Sequence, residues 1–206
     1  MTTFGEMQTR IRRELNRDGL TAEIRHAIAS AIEMHQEEDY WFLDGEISAS
    51  ASSSAQFIAV PTAMPDIDRI ELSGGATLSE PLRKSHFNDI RNWLAGTVSY
   101  NEPTDWAIWN DRIYFYPPPD SNYKLRLFGK KRLTEVTASA SANATNVWMT
   151  DGERLIRFSA KTDVYMNKLR NGEQAAAQEI QATQEKSKLL GKNVDRRNVG
   201  TVKRHL

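Results

Sequence analysis

The sequence predicts an α+β fold: an antiparallel helical bundle built from both chain ends, with an inserted antiparallel β domain and an extended C-terminal tail. Three observations carry this expectation. Apolar residues recur at three and four residues near both ends, the middle breaks into short apolar runs punctuated by Gly, Pro, Asn and Ser, and basic residues crowd residues 192–206. The expected division is a helical hairpin over 1–43, the inserted β domain with one short helix over 44–146, a second helical hairpin over 147–191, and the basic tail over 192–206.

Thr3 and Glu6 have capping-box spacing, and Phe4, Met7, Ile11 and Leu15 fall on one helical face before Asn16, Asp18 and Gly19 stop it. Thr21 is placed to cap a second helix on which Ile24, Ala27, Ile28, Ala31, Ile32 and His35 recur. The short turn between them predicts a hairpin.

From Asp39 the period changes. Strands are expected over 41–48, 56–60, 67–72, 106–109, 112–116 and 123–129, with turn chemistry at Ser73-Gly74-Gly75, Asn110-Asp111 and Pro117-Pro118-Pro119-Asp120. Phe87, Ile90, Trp93 and Leu94 keep helical spacing, with Ser85 as cap and Gly96 as stop. Two Ala/Ser-rich tracts, residues 48–54 and 137–146, are too small and polar to pack alone and are expected to be mobile loops that order only against partners.

Thr150 and Glu153 have capping-box spacing again, ahead of a helix lined by Leu155, Phe158, Ser159, Thr162, Tyr165, Met166 and Leu169 that should end at Asn171-Gly172. A further helix over 173–190 carries Ala176, Ile180, Thr183, Ser187 and Leu190 on its more apolar face and should stop at Gly191. That face is weakly apolar, so the helix is expected to be peripheral or to complete its burial against another subunit.

Composition narrows the functional classes. The 206 residues carry 27 Lys plus Arg and 27 Asp plus Glu, so no net field draws the molecule to nucleic acid or an anionic membrane. Cysteine is absent, which excludes disulfides, thiolate metal sites and cysteine nucleophiles and fits folding in a reducing compartment. The N-terminal residues lack the apolar run of a signal peptide and no segment reaches the ~20 apolar residues of a membrane span, so synthesis in the cytoplasm and no membrane contact are expected.

No catalytic, cofactor-binding or metal-binding residue is expected. Gly74-Gly75 lies in a turn and no Gly-Lys-Ser or Gly-Lys-Thr follows it, which argues against a phosphate loop. His26, His35, His86 and His205 are scattered without zinc-ligand spacing. The acids Glu37, Glu38, Asp39, Asp44 and Glu46 are the densest carboxylate group, and paired carboxylates are what glycoside hydrolysis needs. A helix end with a solvated turn explains the same acids and is preferred; a peptidoglycan-degrading activity is the alternative. The aromatics Tyr40, Trp41, Phe42, Trp106, Trp109, Tyr114, Phe115, Tyr116 and Tyr123 are not regularly interleaved with basic residues, so core and interface anchoring is preferred to base stacking.

The order of segments resembles the head-to-tail adaptor, or head-completion connector, family of tailed bacteriophages. The residues carrying it are Asp39-Tyr40-Trp41-Phe42-Leu43-Asp44-Gly45-Glu46, Phe57-Ile58-Ala59-Val60-Pro61 with Met64-Pro65-Asp66, Pro103-Thr104-Asp105-Trp106-Ala107-Ile108-Trp109, Ile113-Tyr114-Phe115-Tyr116-Pro117-Pro118-Pro119-Asp120, and Asn146-Val147-Trp148-Met149-Thr150-Asp151. The resemblance implies a structural, homo-oligomeric, dodecameric ring on the portal protein, receiving tail or nozzle proteins and passing double-stranded DNA without sequence-specific binding. It implies a place in the virion at the head-tail interface after assembly in the host cytoplasm. It also implies that the tail docks on the portal, with Arg196, Arg197, Lys203 and Arg204 meeting carboxylates while Val199 and Val202 fill shallow grooves.

Overall fold

The computed structural model describes residues 2–73, 81–96, 98–133 and 140–198, the last five by backbone alone. The chain is mixed α+β and divides into two compact units. Residues 1–43 and 133–206 form one, and residues 44–132 form the other.

The first unit is helical. Helix α1 (Phe4–Leu15) starts at a reciprocal capping box, the Thr3 side chain accepting from the Glu6 backbone while the Glu6 carboxylate accepts from the Thr3 N–H at 2.8 Å. It ends where Asn16 turns into the left-handed region at φ 49°. Helix α2 (Thr21–His35) is flanked by Leu20 and has no side-chain cap, contrary to the role expected of Thr21. Packing replaces capping there, since Ile24, Ala27, Ile28, Ala31 and Ile32 are all buried.

The return helices differ from expectation at their starts. A short helix α4 (Val147–Thr150) is capped by Asn146, whose side chain accepts from the Trp148 N–H at 3.0 Å. Thr150 is therefore a helix end: its hydroxyl donates to the Val147 carbonyl, and α5 (Glu153–Asn167) begins beyond Gly152 without a side-chain cap. The Glu153 carboxylate is spent on Arg10 and Arg157 instead of a capping box.

Helix α6 (Gly172–Asn198) corrects two expectations. It runs through Gly191 to Asn198, so residues 192–198 are helical, not an extended tail. Glycine in a helix interior costs only about 1 kcal/mol relative to alanine. Buried Asn193 offsets that cost by accepting from the Trp41 N–H at 2.7 Å and donating to the Asp39 carbonyl. The buried face is also not the expected one: Ala175, Ala182, Leu189 and Asn193 face inward, while Ala176, Ile180, Thr183 and Ser187 are exposed. Contact with α5 selected a narrow stripe of small residues over the slightly more apolar one.

One core joins both chain ends. Phe4, Met7 and Ile11 from α1, Ile24, Ile28 and Ile32 from α2, and Trp148, Leu155, Ile156, Ala160 and Val164 from the return share a single buried cluster. Tyr40, Phe42 and Trp148 lock the 3-10 turn Trp41–Leu43, with Tyr40 and Phe42 stacked at 5.2 Å and Trp148 edge-on to both. That aromatic contact makes residues 41–43 a turn, not the start of a strand.

The described part of the 137–146 tract belongs to this unit, and it is not a loop waiting for partners. Phe4 and Gly5 donate backbone hydrogen bonds to the Ala144 and Ala142 carbonyls at 2.9 and 2.8 Å, and Arg25 donates to the Ala140 carbonyl. A side chain at Gly5 would collide with Ala142, so this close approach depends on glycine. Small residues here permit backbone pairing. Residues 137–139 lie outside the described residues.

The second unit holds two sheets, of order β1-β7-β3 and β2-β6-β5-β4. Their strands are β1 (Asp44–Ala51), β2 (Phe57–Ala59), β3 (Asp66–Ser73), β4 (Arg83–Lys84), β5 (Asp105–Trp109), β6 (Arg112–Tyr116) and β7 (Tyr123–Lys130). Among the described residues all strand pairings are antiparallel except β4 with β5, a two-residue parallel ladder that the sequence pattern missed. Leu125 and Leu127 of one sheet and Trp106, Ile113 and Phe115 of the other share the core. The Asn110-Asp111 turn joins β5 to β6 with both residues left-handed, at φ 50° and 55°. The expected Ser73-Gly74-Gly75 turn lies outside the described residues beyond Ser73.

Residues 48–51, expected in a mobile loop, are the second half of β1 and pair with Tyr123 to Arg126. Residues 52–55 are tied down as well: Ser53 N–H donates to Asn122 at 2.9 Å and Ser54 N–H to the Pro119 carbonyl at 2.7 Å. Gly129 lets β3 approach β7 closely, because a Cβ there would strike the Asp66 carbonyl. Helix α3 (Phe87–Leu94) is capped by His86, whose ring accepts from the Asn88 N–H at 3.3 Å, whereas Ser85 donates to Asp105 at 2.7 Å.

Replacing fully buried Ile28 tests the shared core. Ile28→Ala should lower the unfolding free energy by about 2–5 kcal/mol, measured by urea denaturation followed by circular dichroism.

Candidate assembly surface

Three of the five clustered acids expected from the sequence are engaged by cations. Glu38 is held by Lys186 at 2.5 Å, Asp44 by Lys130, and Glu46 by a bidentate pair from Arg126 at 2.6 and 2.7 Å. Hydrogen bonding from Arg126 holds the Glu46 carboxyl below its ordinary range, the opposite of what a general acid needs. Glu38, Asp44 and Glu46 serve ion pairs. Among the described residues no group of three or more His, Asp or Glu is arranged to hold a metal ion.

His35 is buried in the helical unit, with Nε2 3.0 Å from Ser159 Oγ. Burial, reinforced by the Lys186 cation and opposed by Glu38, pushes its pKa from 6.5 to about 4. The ring is neutral in the fold. It contributes to packing and to one hydrogen bond.

A network of charged side chains fastens α1 to α5. Arg10 pairs with Glu153 at 2.8 Å, Glu153 with Arg157 at 3.2 Å, and Glu14 with both Arg157 and Lys161, the last at 2.7 Å. Lys161 and Glu153 are buried, so these charges require their partners. Burial raises the Glu14 pKa, but the Lys161 and Arg157 cations prevail and hold it below its ordinary value. The sequence reading missed this network because the partners lie more than a hundred residues apart.

The aromatics divide by face. Trp106 and Phe115 are buried in the sheet core, while Trp109, Tyr114 and Tyr116 lie on the opposite face, partly covered by α3. Phe87 stacks on Trp109 at 5.0 Å, Trp93 meets Tyr116 at 5.0 Å, and the Arg112 guanidinium sits 4.3 Å from the Phe57 ring centre. Trp106 and Phe115 take the core role expected of them, and the outer aromatics are ordered by one another.

Arg196 and Arg197, two of the expected portal-binding residues, lie on the backbone of α6 within its last turn. Val199, Val202, Lys203 and Arg204 lie outside the described residues. The long helix leading to them has an uncharged outer surface over much of its first half. Ile180 is 57% exposed there and, with Ala176, Glu179, Thr183 and Gln184, lines a shallow depression. No helix among the described residues is long and apolar enough to cross a membrane.

A family model described as SU10 adaptor protein matches residues 2–204, nearly the whole chain. No curated protein matches it.

Two measurements check these assignments. Because the folded His35 has a depressed pKa, the unfolded chain binds the extra proton; stability is complete above pH 6.5 and falls as pH drops towards about 4. The melting temperature should therefore fall between pH 6.5 and 5, and His35→Gln should flatten that slope. Asn193→Ala should cost about 1–3 kcal/mol by leaving the Trp41 N–H and Asp39 carbonyl without this partner, measured by thermal melting.

Proposed function

The chain belongs to the SU10 adaptor protein family, a family of structural bacteriophage proteins, and on that premise we propose that it forms a homo-oligomeric ring below the portal. In this reading the ring joins the DNA-filled head to the tail, receives tail or nozzle proteins on its other side, and lines the channel by which double-stranded DNA leaves. The carrying observation is the match over residues 2–204, which spans both units and their connections. We read the helices of the two chain ends as one antiparallel bundle that acts as the ring's rigid body.

The C-terminal residues supply the portal contact in this proposal. Arg196 and Arg197 at the end of α6, followed by Val199, Val202, Lys203 and Arg204, combine cations for carboxylates with aliphatic side chains for grooves. Repetition around a ring multiplies a modest contact. The helix to Asn198 gives the segment a stiff base, so fewer residues lose freedom on docking. Assembly is proposed to take place in the host cytoplasm and to end in the virion, with a dodecameric stoichiometry set by the portal.

The native mass of the purified protein with and without portal tests this reading. A defined multiple of 23.4 kDa should add to the portal, and its failure to do so would remove the proposal. Truncation after Asn198 should leave the melting temperature unchanged and abolish attachment. Arg196→Glu with Arg197→Glu should weaken attachment most at low ionic strength, where screening is least.

A further inference from the structure

The helical unit carries two surfaces that complement each other but lie on different helices. The first is the outer face of α6, where exposed Ile180 stands among Ala176, Thr183 and Gln184, with Glu173 and Glu179 as the charged residues in the first half of the helix. The second is a groove of about 720 Å³ alongside α1, lined by Gly5, Thr9, Arg10, Arg13, Ala142 and Asn143 together with Thr3 and Glu6. Its floor is small-residued because Gly5 admits the Ala142 backbone against α1. Arg10 and Arg13 border it together with Glu6, and exposed Arg12 lies on the same helix.

The charges match in sign. Glu6 and Glu14, the acids of α1, are already engaged, Glu6 in the capping box and Glu14 with Arg157 and Lys161. Arg10 is paired with Glu153, which leaves Arg12 and Arg13 as the outward cations of α1, while the first half of α6 carries Glu173 and Glu179, the latter beside Ile180. Their positions prevent the two surfaces from meeting within one chain. Helix α5 packs against both α1 and α6, whereas α6 packs on α5 and the 3-10 turn. Two different surfaces on one copy are what a ring uses, since each copy in a cyclic head-to-tail assembly meets its two neighbours through different faces.

We propose that the α6 face of one copy seats in the α1 groove of the next, with Ile180 entering above Thr9 and Glu179 meeting Arg13. This contact rests on the ring reading and names the surfaces that close it. Burial of Ile180 completes the helix face that a single chain leaves in water, and the glutamate-arginine contact sets direction and register.

The absence of cysteine makes the contact directly testable by cross-linking. Thr9→Cys and Ile180→Cys are introduced into the full chain singly and together, rings are assembled on portal, and oxidised samples are run under denaturing conditions. The doubly substituted protein should give a ladder of covalent multimers, and each single variant should give none. Dimers from Ile180→Cys alone would show α6 facing α6 and overturn the proposal. Rings of wild-type mass without any ladder would overturn the contact while leaving the adaptor reading intact. If the wild-type protein adds no defined multiple of its mass to portal, both fall. Glu179→Arg should lower ring occupancy, and adding Arg13→Glu should restore it; circular dichroism of both variants should match wild type because both positions are exposed. Undiminished occupancy with Glu179→Arg, or no recovery in the double variant, would likewise overturn the pairing.

Discussion

The helical unit depends on keeping the charges of α5 paired. Lys161 and Glu153 are buried on a helix that also presents Leu155, Ile156, Ala160 and Val164 to the core. A buried ion without a partner costs several kcal/mol, more than any one of those apolar contacts returns. The partners are Arg10 and Glu14 on α1, so α5 reaches its low-energy position only with the N-terminal helix beside it. The interaction couples the first fifteen residues to a segment on the far side of an inserted unit.

That coupling explains how the chain tolerates the insertion. The chain leaves the helical unit after Leu43 and returns to it at Leu133, and within that unit Tyr40, Phe42 and Trp148 form one aromatic cluster. Asn193 bonds the backbone at Asp39 and Trp41 from α6. The place where the chain leaves the helices is therefore held by side chains that arrive after it has come back. The helical unit is thereby closed on itself on both sides of the insertion, in keeping with a family that is structural.

The inserted unit handles its two outer surfaces differently. On the three-stranded sheet Arg126 bridges Glu46 and Glu71 and lies 5.1 Å from the Phe128 ring centre, so charge and ring stabilise one another in contact with water. On the four-stranded sheet the corresponding side chains are aromatic and α3 covers only part of them, leaving Phe57 and Trp109 exposed. Solvation is satisfied on the first face, whereas aromatic stacking supplies the order on the second.

The sequence by itself determined the α+β class, the capping box at Thr3, the inward faces of α1 and α2, and the turn at Asn110-Asp111, because each depends on side chains within a few residues of one another. The resemblance to phage adaptors was legible in the order of the aromatic segments for the same reason. Tertiary structure alone decided what small residues do. Ala142 and Ala144 were expected in a loop and became sites of backbone pairing with α1, Ala49 and Ala51 became strand, and Gly191 lies inside a helix it was expected to end. It also chose the inward face of α6, burying Ala175 and Ala182 in preference to Ile180. A small side chain carries little transfer free energy of its own, so its conformation is set by whichever distant backbone or helix can come closest to it.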